Sequence, residues 1–268
     1  MEPGLARDAL TLLLGFTTGV LSALFGIGGA IVSNPGLRAL GAAPLVAVGT
    51  TLPSILPGAI SGTLRYRREG LVNWQLIIPA AASGLLAVVA GSFLSHAVPG
   101  GGPVLLLLIA VLLAFTAWRT AAVPPATPAP DAAEDVAAAA PEGRTRWLAA
   151  GIGVVAGLLS GLLGIGGGVI MVPAFTELLG MSLKSAIATS LVCVGIFGVP
   201  ATITHAFLGD IDWRLAVLLT IGVIPGARIG ASLTIRTAER RLRLAVGIFL
   251  ALVALVYFVT ETRALLAL

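Results

Sequence analysis

The chain has 268 residues, of which 57% are hydrophobic and only 10% charged, with a formal net charge of +4; its mean hydropathy is +1.05. A soluble domain carries about a quarter of its residues as charges to clothe its surface, so this composition excludes a soluble globular protein. One cysteine, Cys193, rules out an intrachain disulfide, and with only His96 and His205 beside it there is no ordinary zinc ligand set.

In chain order, apolar runs cover roughly residues 8–40, 44–64, 74–97, 103–121, 146–180, 184–207, 213–235 and 242–262, approaching or exceeding the ~20 residues that cross a bilayer. Arg7 and Asp8 precede the first run, and no short apolar region ends in a small-residue cleavage site, so this run is expected in the mature fold rather than in a signal peptide. The first and fifth runs are too long for one crossing, which predicts a split or re-entrant helix pair in each. Between the fourth and fifth runs the sequence turns to AAVPPATPAPDAAEDVAAAAPEG over Ala121–Gly143, with an acidic cluster at Asp131, Glu134 and Asp135. Such a segment is a solvated linker. The expected organisation is a first transmembrane repeat over 1–120, a cytoplasmic Pro/Ala-rich linker over 121–145 and a second transmembrane repeat over 146–268.

The two halves are related in sequence. At an offset of 138, Gly15, Gly19, Ser22, Leu24, the run Gly26-Ile27-Gly28-Gly29 and Pro35 recur as Gly153, Gly157, Ser160, Leu162, Gly164-Ile165-Gly166-Gly167 and Pro173. At an offset of 139, Thr50-Thr51-Leu52 recurs as Thr189-Ser190-Leu191, and Gly70, Trp74 and Gly91 as Gly209, Trp213 and Gly230. Internal duplication of this kind is common in secondary transporters. Basic residues cluster in cytoplasmic loops, and single crossings throughout would spread them over both sides. If each long run contributes an even number of crossings, 11 basic residues share one side: Arg65, Arg67, Arg68, Arg119, Arg144, Arg146, Lys184, Arg236, Arg240, Arg241 and Arg243. That arrangement inverts the second half relative to the first and places both termini outside. The expected fold is therefore all-α and polytopic, two inverted repeats of about four hydrophobic segments each.

Glycine as dense as Gly26, Gly28, Gly29 and Gly164, Gly166, Gly167, Gly168 weakens a helix, and broken backbone at membrane depth survives only where protein or a water-filled cavity covers it. A broken helix offers free N–H groups and a partial positive charge, which suit an anion. The two clusters therefore read as backbone anion-binding elements, one from each half, with close helix packing as the alternative. Gly15 and Gly19, like Gly153, Gly157 and Gly161, have the small-xxx-small spacing of tight membrane contacts. No Gly-Lys-Ser/Thr follows either cluster, which argues against a nucleotide-binding loop.

The pattern SGLLGIGGGVIMVP over Ser160–Pro173, with SALFGIGGAIVSNP over Ser22–Pro35, resembles the signature of the sulfite exporter TauE/SafE family. Ala186–Leu191 and Gly226–Ala231 are similar to that family's second half, and the likeness covers nearly the whole chain outside the linker. The resemblance implies a transporter, not an enzyme, that exports sulfite, sulfoacetate or a related organosulfonate across the bacterial inner membrane, with no cofactor. The first copy departs from the pattern at Ala30, Ser33 and Asn34.

Further candidates lie inside apolar runs. Arg228 costs at least ~2.5–3.5 kcal/mol at membrane depth, and reads either as an anion ligand or as a snorkelling arginine; its repeat counterpart is Val89. Thr50, Thr51, Thr189 and Ser190 offer hydroxyls to oxyanion oxygens, or bond back to their own helices. Cys193 reads as a small apolar filler. His205 stands near Asp210 as a proton relay or an idle loop-end histidine, and Trp74 and Trp213 as interface anchors. The expected partners are a small sulfur-containing anion and the lipid bilayer, not nucleic acid. A passive anion channel and a partner-dependent permease subunit are the alternatives.

Overall fold

The structure is a computed structural model that describes residues 4–97, 110–111, 113–118, 143–164 and 166–266. Most of the fourth apolar run, Arg119 and the linker up to residue 142 lie outside these. All described regular structure is helical: α1 (Leu5–Phe25), α2 (Ala30–Ala39), α3 (Pro44–Arg67), α4 (Trp74–Ala97), α5 (Gly143–Leu163), α6 (Gly168–Leu178), α7 (Leu183–Leu208), α8 (Trp213–Arg236) and α9 (Glu239–Leu266). Residues 110–111 and 113–118 are also helical. Among the described residues, seven helices are long and apolar enough to cross a membrane.

The order long, short, long, long occurs twice, as 21, 10, 24 and 24 residues in α1–α4 and 21, 11, 26 and 24 in α5–α8. Each long signature run is therefore a full-length helix followed by a short one. At 1.5 Å per residue, α2 is about 15 Å long, half the ~30 Å hydrocarbon thickness. The interruptions are set by glycine. Gly26, Gly28 and Gly29 have φ of 70, 88 and 73°, and Gly164, Gly166 and Gly167 repeat this at 64, 86 and 68°, a left-handed conformation that residues with a Cβ adopt at a cost of about 1–2 kcal/mol each.

The halves are interleaved. Helix α1 packs on α8 of the other half: Gly15 and Gly19 leave no room for a Cβ against the backbones of Leu219 and Val223, nor do Gly222 and Gly226 against those of Leu12 and Phe16. These pairings rise together along both chains, so α1 and α8 run parallel. Helix α5 packs on α4 in the same manner, Gly153, Gly157 and Gly161 against the backbones of Ala80, Gly84 and Val88. The small-xxx-small glycines thus serve close packing. In the centre α3 and α7 are antiparallel, with Gly62 facing Leu191, Gly195 facing Ala59 and Gly198 facing Ile55.

Each end of the bundle is tied across the halves. At one, the Arg214 guanidinium meets the Asp8 carboxylate at 2.6 Å. At the other, the Ser185 hydroxyl donates across the halves to Leu71 in the α3–α4 turn, while within the second half the Lys184 ammonium donates to the Ile235 carbonyl at 2.8 Å and Glu239 accepts the Leu183 N–H. Large apolar side chains such as Ile221, Ile224, Phe207 and Leu86 stay exposed on the outer faces, the surface a bilayer would cover.

Candidate functional site

The two glycine loops meet in the middle of the bundle. Gly166 lies against Gly28, where a Cβ would stand 3.3 Å from the Gly28 Cα, and a Cβ on Gly168 would overlap the Gly26 carbonyl. All described residues of both loops are buried. Each loop leads into a short helix whose N-cap, Gly29 for α2 and Gly167 for α6, receives no side-chain cap. The first-turn N–H groups of Ala30 and Val32 donate to the Gly28 and Gly29 carbonyls, and those of Gly168 and Ile170 to Gly166 and Gly167, so two buried helix N-termini without side-chain caps, partly closed on their own loops, start beside each other, one from each half. Of the glycines proposed from sequence, Gly26, Gly28, Gly166 and Gly168 meet across the two loops, while Gly29 packs on Thr18 and Ser22, Gly167 on Ala156 and Gly164 on Val48.

Carbonyls freed where α1 breaks are taken up by other helices. The Tyr66 hydroxyl donates to the Ala23 carbonyl, the Thr234 hydroxyl to Leu24 at 3.0 Å, and the Ser190 hydroxyl to Gly26 at 2.9 Å. Pro35 lacks an N–H and frees the Ile31 carbonyl one turn earlier, which accepts from the Tyr257 hydroxyl of α9 at 3.3 Å. Broken backbone is thereby satisfied from within the protein, as a membrane interior demands.

The four hydroxyl positions have structural bonds. Thr50 accepts the Asp212 backbone N–H at 2.9 Å, and its repeat partner Thr189 accepts the Asn73 N–H at 3.1 Å. Asn73 and Asp212 in turn accept N–H groups in the first turns of α4 and α8 with their own side chains. These matched bonds tie α3 to the start of α8 and α7 to the start of α4. Thr51 donates to the Ala47 carbonyl of its own helix at 3.0 Å. Only Ser190 touches a glycine loop. Arg228 stands on the exposed outer face of α8, beside the exposed Ile229 and away from the face that packs on α1, so it is not brought to the loops.

Cys193 is fully buried in the main apolar core, consistent with a filler. His205 is 2% exposed and its Nδ1 lies 2.9 Å from an Asp210 carboxylate oxygen. Trp74 and Trp213 are exposed at the starts of α4 and α8. Among the described residues no group of three or more His, Cys, Asp or Glu is placed to hold a metal.

Sequence reasoning passed over Thr18 and Asn34. Thr18 faces the α2 N-cap, its methyl 2.7 Å from where a Cβ on Gly29 would stand. Both residues are 2% exposed, and the Thr18 hydroxyl and both amide atoms of Asn34 have no hydrogen-bond partner. The departure of Asn34 from the repeat pattern is the signal that marks it.

The family model described as "Sulfite exporter TauE/SafE" matches residues 11–257. A "Probable membrane transporter protein" of Xylella fastidiosa (strain 9a5c) is 29% identical over 84% of this chain and 82% of its own length. The "Probable membrane transporter protein YunE" of Bacillus subtilis (strain 168) is 28% identical over 91% and 94%. The "Probable membrane transporter protein MamO" of Magnetospirillum gryphiswaldense is 34% identical over 66% of this chain but only 32% of its own length. No solved structure shows a significant match. With its spans and bacterial relatives, the chain is a multi-pass bacterial membrane protein and belongs to the sulfite exporter TauE/SafE family of membrane transporters.

Proposed function

We propose that this chain is a secondary transporter of two inverted repeats that exports a small sulfur-containing anion, such as sulfite or an organosulfonate, across the bacterial inner membrane. The observation that carries the reading is the meeting of two buried, uncapped helix N-termini in the glycine loops. A helix N-terminus presents N–H donors and about half a positive charge to an anion, and secondary transporters use broken helices at the repeat interface for this purpose. The antiparallel α3 and α7, and the parallel pairs α1–α8 and α4–α5, support the inversion: each helix of one half runs against its counterpart in the other. The short α2 and α6 support a re-entrant reading.

Orientation follows from charge. Arg65, Arg67, Lys184 and Arg236 belong to the end tied by Lys184 and Glu239, while Asp8, Asp210 and Asp212 belong to the other. The basic end is then cytoplasmic, and leaving an inside-negative cell favours an anion by ~2.3 kcal/mol per charge per 100 mV. The close loop contact is the occluded step of an alternating-access cycle, and export requires it to open.

The test is thermal unfolding of the purified chain with sulfite, sulfate, thiosulfate, sulfoacetate or taurine. Stabilisation by one or more of them, lost in a folded Gly166→Leu variant, is the expected result. No shift with any sulfur anion would overturn the proposal.

A further inference from the structure

The two half-sites share a backbone but not a lining. Thr18 packs on the α2 N-cap Gly29 in the first half, and Ala156 takes its place against Gly167 in the second, its carbonyl 2.6 Å from where a Cβ would stand. Four residues beyond Ala30 on the same face of α2 comes Asn34, whose counterpart at the 138 offset is Val172. Helical side chains lean toward the N-terminus, which inclines the Asn34 amide toward the loop. A buried amide with neither atom bonded, and beside the same N-terminus a buried hydroxyl without a partner, are destabilising unless something else uses them. Their location at an uncapped helix start makes an anion that user.

We propose that Thr18 and Asn34 select the transported anion, and that they select a monovalent oxyanion over a divalent one; the inference rests on the transport reading above. Among the described residues no Lys, Arg, Asp or Glu is fully buried, so no buried side-chain charge adds to the helix dipoles at the loops. Two N-termini at about half a unit each sum to roughly one positive charge, enough for a monoanion. A dianion carries about four times the desolvation cost at the same size, since that cost grows as the square of the charge. The amide fits the same form. Its NH2 donates to an oxyanion oxygen, and its carbonyl is left to accept the proton of a singly protonated species such as hydrogen sulfite.

The experiment measures affinities on the full chain in detergent with three probes. Methanesulfonate is a fixed monoanion, sulfate a fixed dianion, and sulfite passes from one form to the other between mildly acid and mildly alkaline pH. The expected order is methanesulfonate bound at least about tenfold more tightly than sulfate, with sulfite tightening toward acid pH. Thr18→Val and Asn34→Leu each weaken methanesulfonate by about tenfold or more, the scale of a lost hydrogen bond to a charged group. Without ligand, both variants are at least as stable as the parent, because an unpartnered polar group has been removed. Thr17→Val, at an exposed hydroxyl that bonds its own helix, changes neither property. Sulfate binding as tightly as methanesulfonate, unchanged affinity in both variants, or a ligand-free variant less stable than the parent would each overturn this inference and leave the transport reading standing. If the parent bound no sulfur anion, both would fall.

Discussion

The two breaks, at Gly26–Gly29 and Gly164–Gly167, solve one backbone problem with different surroundings. Both use three left-handed glycines and start a short uncapped helix. Around the first stand Thr18, Ser22, Ser33 and Asn34; around the second, at the matching positions, stand Ala156, Ser160, Met171 and Val172. The freed carbonyls of the first break draw on Tyr66, Thr234 and Ser190, whereas Thr51, the repeat counterpart of Ser190, bonds back to Ala47 instead. The backbone geometry is common to both breaks, with closely matching positive φ at the three glycines. Side chains are freer to diverge, and the polar ones have gathered on one side.

The sharpest way to break the comparison is to fill the contact itself. Gly168→Val places a side chain onto the Gly26 carbonyl and is expected to cost at least the ~1–3 kcal/mol of overpacking, read as a lower midpoint of thermal unfolding or as loss of folded protein. Tyr66→Phe tests the support of the first break alone. It leaves the Ala23 carbonyl without its cross-helix donor, for an expected loss of ~1–3 kcal/mol in denaturant unfolding. Thr50→Val and Thr189→Val sharpen the shared part. Each removes the acceptor for one N–H at matched positions, so the two losses should agree within about 0.5 kcal/mol, each near 1 kcal/mol. Unequal losses would show that the repeats have diverged in their scaffold as well as in their lining. The smallest effect is expected from Arg228→Ala. Its exposed place on α8 predicts a stability change within about 0.5 kcal/mol and unaltered anion affinity, checked in the same titrations.

Much of the scaffold is readable from the residues. Hydropathy gives the spans, the offsets of 138 and 139 give the doubling, and the 33- and 35-residue runs, longer than one crossing needs, point to broken helices. The glycine clusters carry their own place, since several positive φ values in succession cannot be continued as helix. The hydroxyls are different. Thr50 and Thr189 look like ligands because they are polar, matched and embedded, but whether a hydroxyl is free depends on which N–H arrives from a distant helix start, here Asp212 and Asn73. Arg228 shows the same limit: a helical period near 3.6 does not say which face meets α1 and which meets lipid. Asn34 reads as a blemish in a repeat until its burial and unpaired amide are seen.

The backbone-close pairing of α1 with α8 has a consequence for how the chain is made. Leu5–Phe25 leaves the ribosome long before Trp213–Arg236, the helix whose glycine face it must bury against. At 5–20 residues per second, roughly ten to forty seconds of synthesis separate the two. Through that interval α1 resides in the bilayer with its small-residue stripe facing lipid or the insertion machinery, and the first half completes its packing only when the last part of the second arrives.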